Sequence, residues 1–232
     1  MSEAAEPEVP ARRGTFVEHA AVYAAVGASA ATDLLRFPPE GSAPFAEELK
    51  LGSGAERFLT ASNVLMTWGA QRSCGIEVLD VQHGRDDGYA GVQFAADGRP
   101  EVSPETDVRY GPDGEAFLTA GTTATLRWPD GVSERNMRVV FVTDEPRRCG
   151  FALGTADEAG VIGETVYLVE HRDDDSVWAV ARGFYWAPES GLFGLKARAA
   201  LKFAAKDAAQ LLAALAPGAA TGDPAASASN SE

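Results

Sequence analysis

The side chains equipped for acid–base chemistry gather in two short stretches of alternating residues. In "GETVYLVEH" (163–171), every second residue places Thr165, Tyr167, Val169 and His171 on one face and Glu164, Val166, Leu168 and Glu170 on the other. In "SVWAVARGFYW" (176–186), Tyr185 shares a face with Val177, Ala179, Ala181 and Gly183, opposite Trp178, Val180, Arg182, Phe184 and Trp186. Turning the aromatic Tyr167 inward brings two tyrosine hydroxyls to one cavity. There they can orient or protonate a carbonyl or hydroxyl of a bound molecule, with a carboxylate as acid or base. Glu164, Asp144 and Glu145 are the carboxylate candidates. A carboxyl in an apolar pocket has a raised pKa and can give up a proton near neutral pH. Each of the three stands near a strand end, where a solvated turn residue is the competing reading.

The face carrying Ala179, Ala181 and Gly183 is nearly bare of side-chain volume, although protein interiors pack densely. A close-packed helix or a ligand must supply the missing bulk. Those three residues, with Thr165, Trp186, Phe203 and Leu195, form the expected ligand-binding set. Other chemistries lack their residues. His19, His83 and His171 have no paired spacing for zinc, and no nucleophile elbow, dinucleotide fingerprint or phosphate loop is present. The site is therefore expected to use neither metal nor cofactor.

Several elements must hold these groups. The loop "RFPPEGSAPF" (36–45), rich in proline, is expected to be irregular and packed by Phe37 and Phe45. Residues 54–68 read as a helix, with Ser53 and Glu56 spaced for a capping box and Phe58, Leu59, Val64, Leu65 and Trp68 near helical spacing. From Gly75 to Trp186 the period becomes two. "GIEVLDVQ", "VRYG", "EAFLTAGTTATLRW", "RNMRVVFVTDE", "CGFALGT" and "ETVYLVEH" join the strand at 176–186, and "HRDDDSV" forms a polar hairpin turn between the last two. Residues 190–216 read as a long amphipathic helix with Leu192, Leu195, Ala199, Phe203, Ala208, Leu211, Leu212 and Leu215 as its stripe. An antiparallel sheet followed by such a helix predicts an α+β fold in which the curved sheet wraps the helix.

Composition bounds the partners. The chain of 232 residues is 45% hydrophobic, enough for one domain, expected over 14–216 between disordered tails at 1–13 and 217–232. The excess of 34 acidic over 20 basic residues, a formal charge of -14, argues against nucleic acid and anionic lipid as partners. Cys74 and Cys149 have no metal-ligand spacing, which fits free thiols in a reducing compartment. Glu18 and His19 interrupt the one run that imitates a secretory signal, and no apolar run reaches the length of a membrane span. A cytoplasmic location and no membrane insertion are expected, and a homodimer stays open.

Five segments, "LLRFPPEG", "LGSGAERF", "LMTWGAQRSCGIEV", "MRVVFVTDEPRRCGFALGT" and "GETVYLVEH", resemble the DUF1990 family over roughly residues 20–215. That family is similar to the START-like (SRPBCC) helix-grip superfamily of polyketide cyclases and pollen-allergen relatives. The resemblance implies a curved antiparallel sheet gripping a C-terminal helix around an apolar cavity, and it names no activity. The chain departs from the family where "ADEAGVI" (156–162) replaces a Gly-His-Pro-Glu turn and where Glu164 and Thr165 replace a glutamate pair. It departs again at Ala179 and Ala181, which replace bulkier residues, and at Tyr185, Trp186 and Ala187, which replace Ser-Arg-Pro. These departures imply a lost polar turn and an enlarged cavity. Two functions fit: a cofactor-independent cyclase, dehydratase or isomerase acting on an apolar oxygenated small molecule such as a polyketide-like intermediate, or a non-catalytic carrier of a lipid or hydrophobic metabolite.

Overall fold

The computed structural model describes residues 21–84, 109–158, 160–187 and 195–219, with only the backbone of 195–200. The expected tail at 1–13, most of the tail at 217–232, and Leu192 lie outside the described residues.

Seven strands form one antiparallel sheet: β1 (Ala43–Ser53), β2 (Glu77–Gln82), β3 (Thr123–Arg127), β4 (Glu134–Glu145), β5 (Arg148–Thr155), β6 (Ile162–His171) and β7 (Ser176–Trp186). Their order across the curved sheet is β1-β7-β6-β5-β4-β3-β2, so β1 closes one edge by pairing with the last strand. Among the described residues three α-helices accompany them, α1 (Ala55–Met66), α2 (Gly69–Ser73) and α3 (Leu195–Ala214), with one turn of 3-10 helix at Ala28–Ala30. The α+β class expected from the change of period is the one observed. Among the described residues, no helix is long and apolar enough to cross a membrane.

Alternation in β5 to β7 divides the side chains between two packed faces. One face carries Phe151, Leu153, Tyr167, Val169, Val177, Ala179 and Ala181. It packs with Phe58 and Leu65 of α1, with Ala208, Leu211 and Leu212 of α3, and with Leu215 just beyond the end of that helix. Ala152, Val166, Leu168 and Val180 form a smaller cluster on the other face. In β4 the register shifts between Val139 and Phe141, so Met137 and Val139 before the bulge, and Val142 after it, serve the main core while Phe141 turns to the other face. The β6–β7 hairpin closes where expected. Asp175 takes φ 64°, and Asp174 Oδ1 accepts the Ser176 N–H at 3.1 Å.

Four local expectations are corrected. Residues 43–45 belong to strand β1 rather than to an irregular loop, and although Phe45 packs on the core, Phe37 is exposed. Ser53 ends β1 and makes no capping bond. Gly54 instead occupies the cap with φ 88°, its N–H held by the Asp175 carbonyl at 3.0 Å. The helix expected over 54–68 is α1, which stops two residues short at Met66, and Trp68, whose φ is 60°, separates it from the further short helix α2. A glycine must follow that break, because a Cβ at Gly69 would sit 2.8 Å from the Val64 carbonyl oxygen. Finally, "VRYG" and "EAFLTAGTTATLRW" yield, among the described residues, only the bridge of Tyr110 to Ala116 and the strand β3.

Candidate functional site

A cavity of about 350 Å³ opens between α3 and the main face of the sheet. Leu126, Met137 and Leu153 line one wall, Tyr167 and Tyr185 a second, and Phe203, Ala204, Asp207 and Leu211 of α3 the third. Its rim holds Val132 and Phe203, which are 87% and 50% exposed, whereas Gln71 of α2 at the inner end is fully buried. The volume falls within the range that accepts small organic ligands.

Few polar groups interrupt these walls. Asp207 stands on α3 one turn from Phe203 and one turn from Leu211, partly buried, and its Oδ1 accepts a 2.8 Å bond from Trp128 Nε1. Burial raises its carboxyl above the ordinary value, and the Trp128 bond opposes that rise only in part. Across the cavity, Tyr185 Oη lies 2.8 Å from Thr165 Oγ1. Burial pushes the Tyr185 hydroxyl up to about 12, with the Thr165 bond pulling the other way. Burial also lifts Tyr167 well above the usual tyrosine range, again against a bond to Thr165. Both hydroxyls therefore stay protonated at neutral pH and serve as hydrogen-bond donors. Arg135 reaches the rim already engaged, with Nε 2.9 Å from Asp157 Oδ1 and Nη2 2.8 Å from the Val161 carbonyl. The Gln71 side chain differs from all of these: among the described residues neither its Nε2 nor its Oε1 has a partner.

Of the residues singled out in the sequence, Tyr167, Tyr185 and Phe203 meet in this cavity, and Thr165 supports both tyrosines. Ala179 and Ala181 do not line it. They are fully buried in the core cluster that α3 completes, so the helix supplies the bulk they lack. Gly183 is filled from the neighbouring strands, since a Cβ there would meet Thr165 Oγ1 at 2.6 Å and Phe45 Cε1 at 2.7 Å. Phe45 stacks on Tyr185 at 6.0 Å. The hollow thus lies beside the Ala-Ala-Gly row and not on it.

The carboxylates and Trp186 fall elsewhere. Glu164 is on the opposite face of β6, fully buried beneath the segment 23–29. Its Oε2 accepts Tyr23 Oη at 2.8 Å and the Gly27 N–H at 2.9 Å, and its Oε1 accepts the Ser29 N–H at 3.2 Å and the Ser29 hydroxyl. Asp144 is exposed at the end of β4 and pairs with Arg109 through both oxygens, at 2.6 and 2.5 Å. Trp186 lies on the outer face against Tyr23 and Phe184, donating Nε1 to the Glu40 carbonyl at 2.9 Å. Leu195 opens α3, and its side chain lies outside the described residues. Two cavity groups, Asp207 and Gln71, escaped the sequence reading. Asp207 was detectable in principle. It is the sole acid of α3 and falls on the apolar row between Phe203 and Leu211. Gln71 gives no such signal, since "GAQRS" reads as a polar helix end.

Residues 101–200 match the model of a domain of unknown function, DUF1990. The DUF1990 resemblance is confirmed. The DUF1990 match includes Thr165, Tyr167 and Tyr185 but leaves both Gln71 and Asp207 outside its limits. Among solved structures, a hypothetical protein from Helicobacter pylori is similar at 10% identity and a TM-score of 0.45, covering 77% of this chain and 91% of that one. Ara h 8.0201 is similar at 9% identity and a TM-score of 0.39, covering 75% and 98%. No curated protein matches the chain.

Proposed function

We propose that the chain takes up an apolar, oxygenated small molecule in this cavity and acts on it by acid–base chemistry without a cofactor, as a cyclase, dehydratase or isomerase. The observation that carries this reading is Asp207, a carboxyl of raised pKa set among apolar walls and facing two tyrosines. In its protonated form Asp207 delivers its proton to a carbonyl or hydroxyl oxygen of the guest. The resulting carboxylate then recovers a proton from the neighbouring carbon or oxygen, so the residue returns to its starting state. Tyr167 and Tyr185 donate hydrogen bonds to the oxygen on which charge develops, and the apolar walls limit the water that would otherwise screen them. Glu164 and Asp144, first candidates for the acid, have no part in this scheme because neither faces the cavity.

One observation favours the alternative of a carrier: the Tyr185 hydroxyl is already satisfied by Thr165, so the site stands organised without a reaction to perform. The two readings separate by experiment. Protein purified from its own host is examined by native mass spectrometry for a retained molecule, and that molecule is then incubated with wild type, Asp207→Asn and Tyr185→Phe. An enzyme converts it and loses conversion in Asp207→Asn while still binding it. A carrier returns it unchanged from all three proteins. Filling the cavity with Ala204→Trp abolishes uptake of the neutral dye N-phenylnaphthylamine under either reading, and undiminished uptake would disprove both.

A further inference from the structure

We infer that Trp128 is a positioning residue for the cavity acid: its indole N–H holds Oδ1 of Asp207 and so leaves Oδ2 as the oxygen that gives the proton to the guest and recovers it. The inference rests on the reading of Asp207 as the acid of this cavity and adds which residue aims it.

Trp128 is carried on a fixed frame. It follows β3 at the start of the turn into β4, where its N–H donates to the Ser133 carbonyl at 2.8 Å and its carbonyl accepts the Gly131 N–H at 3.1 Å. Asp130 Oδ1 ties the same turn by accepting the N–H groups of Val132 and Ser133 at 2.9 and 2.8 Å. The indole lies half-buried in the cavity wall and spans from this turn to α3 through the 2.8 Å bond to Asp207 Oδ1. A position needing only an apolar wall would be served by Phe or Leu, which bring no N–H in need of a partner.

An indole N–H donates and never accepts, so the oxygen it faces must present a lone pair. In the neutral acid the proton therefore resides on Oδ2. Among the described residues no other group bonds this carboxyl, and the side chain is partly accessible where it lines the cavity. Transfer from Oδ2 to an oxygen of the guest leaves a carboxylate, whose charge strengthens the bond that Trp128 already makes. The same contact thus fixes the direction of the proton and eases its departure against the effect of burial. The other ionisable groups around this carboxyl do not replace the donor. Glu134 on β4 accepts from Arg127, and Arg135 beside it is held by Asp157. Tyr167 on β6, Tyr185 on β7 and Cys74 beyond α2 are uncharged neighbours with raised pKa values. Lys206, next to Asp207 on α3, is exposed.

The test deletes the N–H and keeps the shape of the ring. Trp128 is replaced by 3-benzothienylalanine, in which sulfur stands where the indole has N–H, and separately by Trp128→Phe. The Asp207 carboxyl is titrated by carbon-13 NMR, with Asp207→Asn to assign its signal, and its side-chain rotamer is read from the Hα–Hβ couplings. Losing a donor that favours the carboxylate is expected to lower the acid dissociation constant of Asp207 about tenfold in both proteins. The couplings should report one rotamer in wild type and an average in the isostere, while uptake of N-phenylnaphthylamine by the isostere is kept. An isostere that matches wild type in both readouts overturns the inference and leaves the cavity acid in place. A change in Trp128→Phe that the isostere lacks assigns the effect to ring volume and likewise overturns it. Wild-type Asp207 titrating as an exposed aspartate overturns the cavity acid, and this inference with it.

Discussion

Replacing Glu164 with glutamine tests whether this buried side chain works as a structural clasp. The carboxylate accepts four hydrogen bonds from one short segment, two of them from the backbone N–H groups of Gly27 and Ser29. In glutamine one oxygen becomes an NH2 that faces either Gly27 or Ser29. The hydroxyls of Tyr23 and Ser29 can rotate to accept from it, but a backbone N–H cannot. Glu164→Gln therefore loses one charge-assisted bond and leaves a buried N–H unpaired, a cost of about 3 kcal/mol. For a chain of this length, each kcal/mol lowers the melting temperature by about 2–4 °C, so a fall of about 6–12 °C is expected. Thermal unfolding by circular dichroism measures the fall, and hydrogen exchange should show residues 23–29 losing protection. Because the side chain faces away from the cavity, uptake of N-phenylnaphthylamine by the folded variant should be unchanged. A variant as stable as wild type with residues 23–29 still protected would refute the clasp. Normal stability with dye uptake lost would refute the placement of Glu164 outside the site.

Gly183→Ala puts a methyl 2.6 Å from the Glu164 carbonyl oxygen and 2.7 Å from Phe45 Cε1, and should destabilise by about 1–3 kcal/mol in urea unfolding; unchanged stability would mean that the space beside Gly183 is open. Asp207 gives a pH signature. With its folded-state pKa raised above 3.8, its contribution to stability is fully present below pH 3.8 and is lost as pH rises through the raised value. Asp207→Asn keeps an oxygen for Trp128 and cannot ionise, so its melting temperature should gain on that of wild type as pH rises from 3.8 toward neutrality, and a difference constant with pH would contradict the burial of this acid.

The parts of the fold legible in the sequence are those in which each residue's type agrees with its neighbours two or four positions away. β5, β6, β7 and α3 have this property, and with them the helix-on-sheet arrangement and the position of the tyrosines. β1 was not legible, because "APFAEELKLGS" mixes charge with proline and becomes a strand only by pairing with β7. The short helix α2 beyond Trp68 was not legible either. Neither the left-handed backbone of Trp68 nor the close approach of Gly69 to Val64 is encoded in periodicity. The bareness of Ala179, Ala181 and Gly183 was a true signal of something packed close, but pattern alone could not choose between α3, Phe45 and a guest. Glu164 shows the same limit in chemistry: alternation placed it opposite Tyr167, and only the chain's return at Tyr23 to Ser29 explains what an acid does there. Asp207 and Gln71 become visible when α2, α3 and the sheet are assembled, since each is an ordinary polar residue within its own helix.

The clasp on Glu164 and the pairing of β1 with β7 impose an order on assembly. Ser29 and Glu164 are 135 residues apart in sequence, and β1 has no neighbour in the sheet until β7 has been made. As the chain leaves the ribosome, its opening strand must wait for the closing one, while β4 to β7 can zip together by successive short turns. The interval leaves the apolar side of Leu49 and Leu51 uncovered until the final strand arrives.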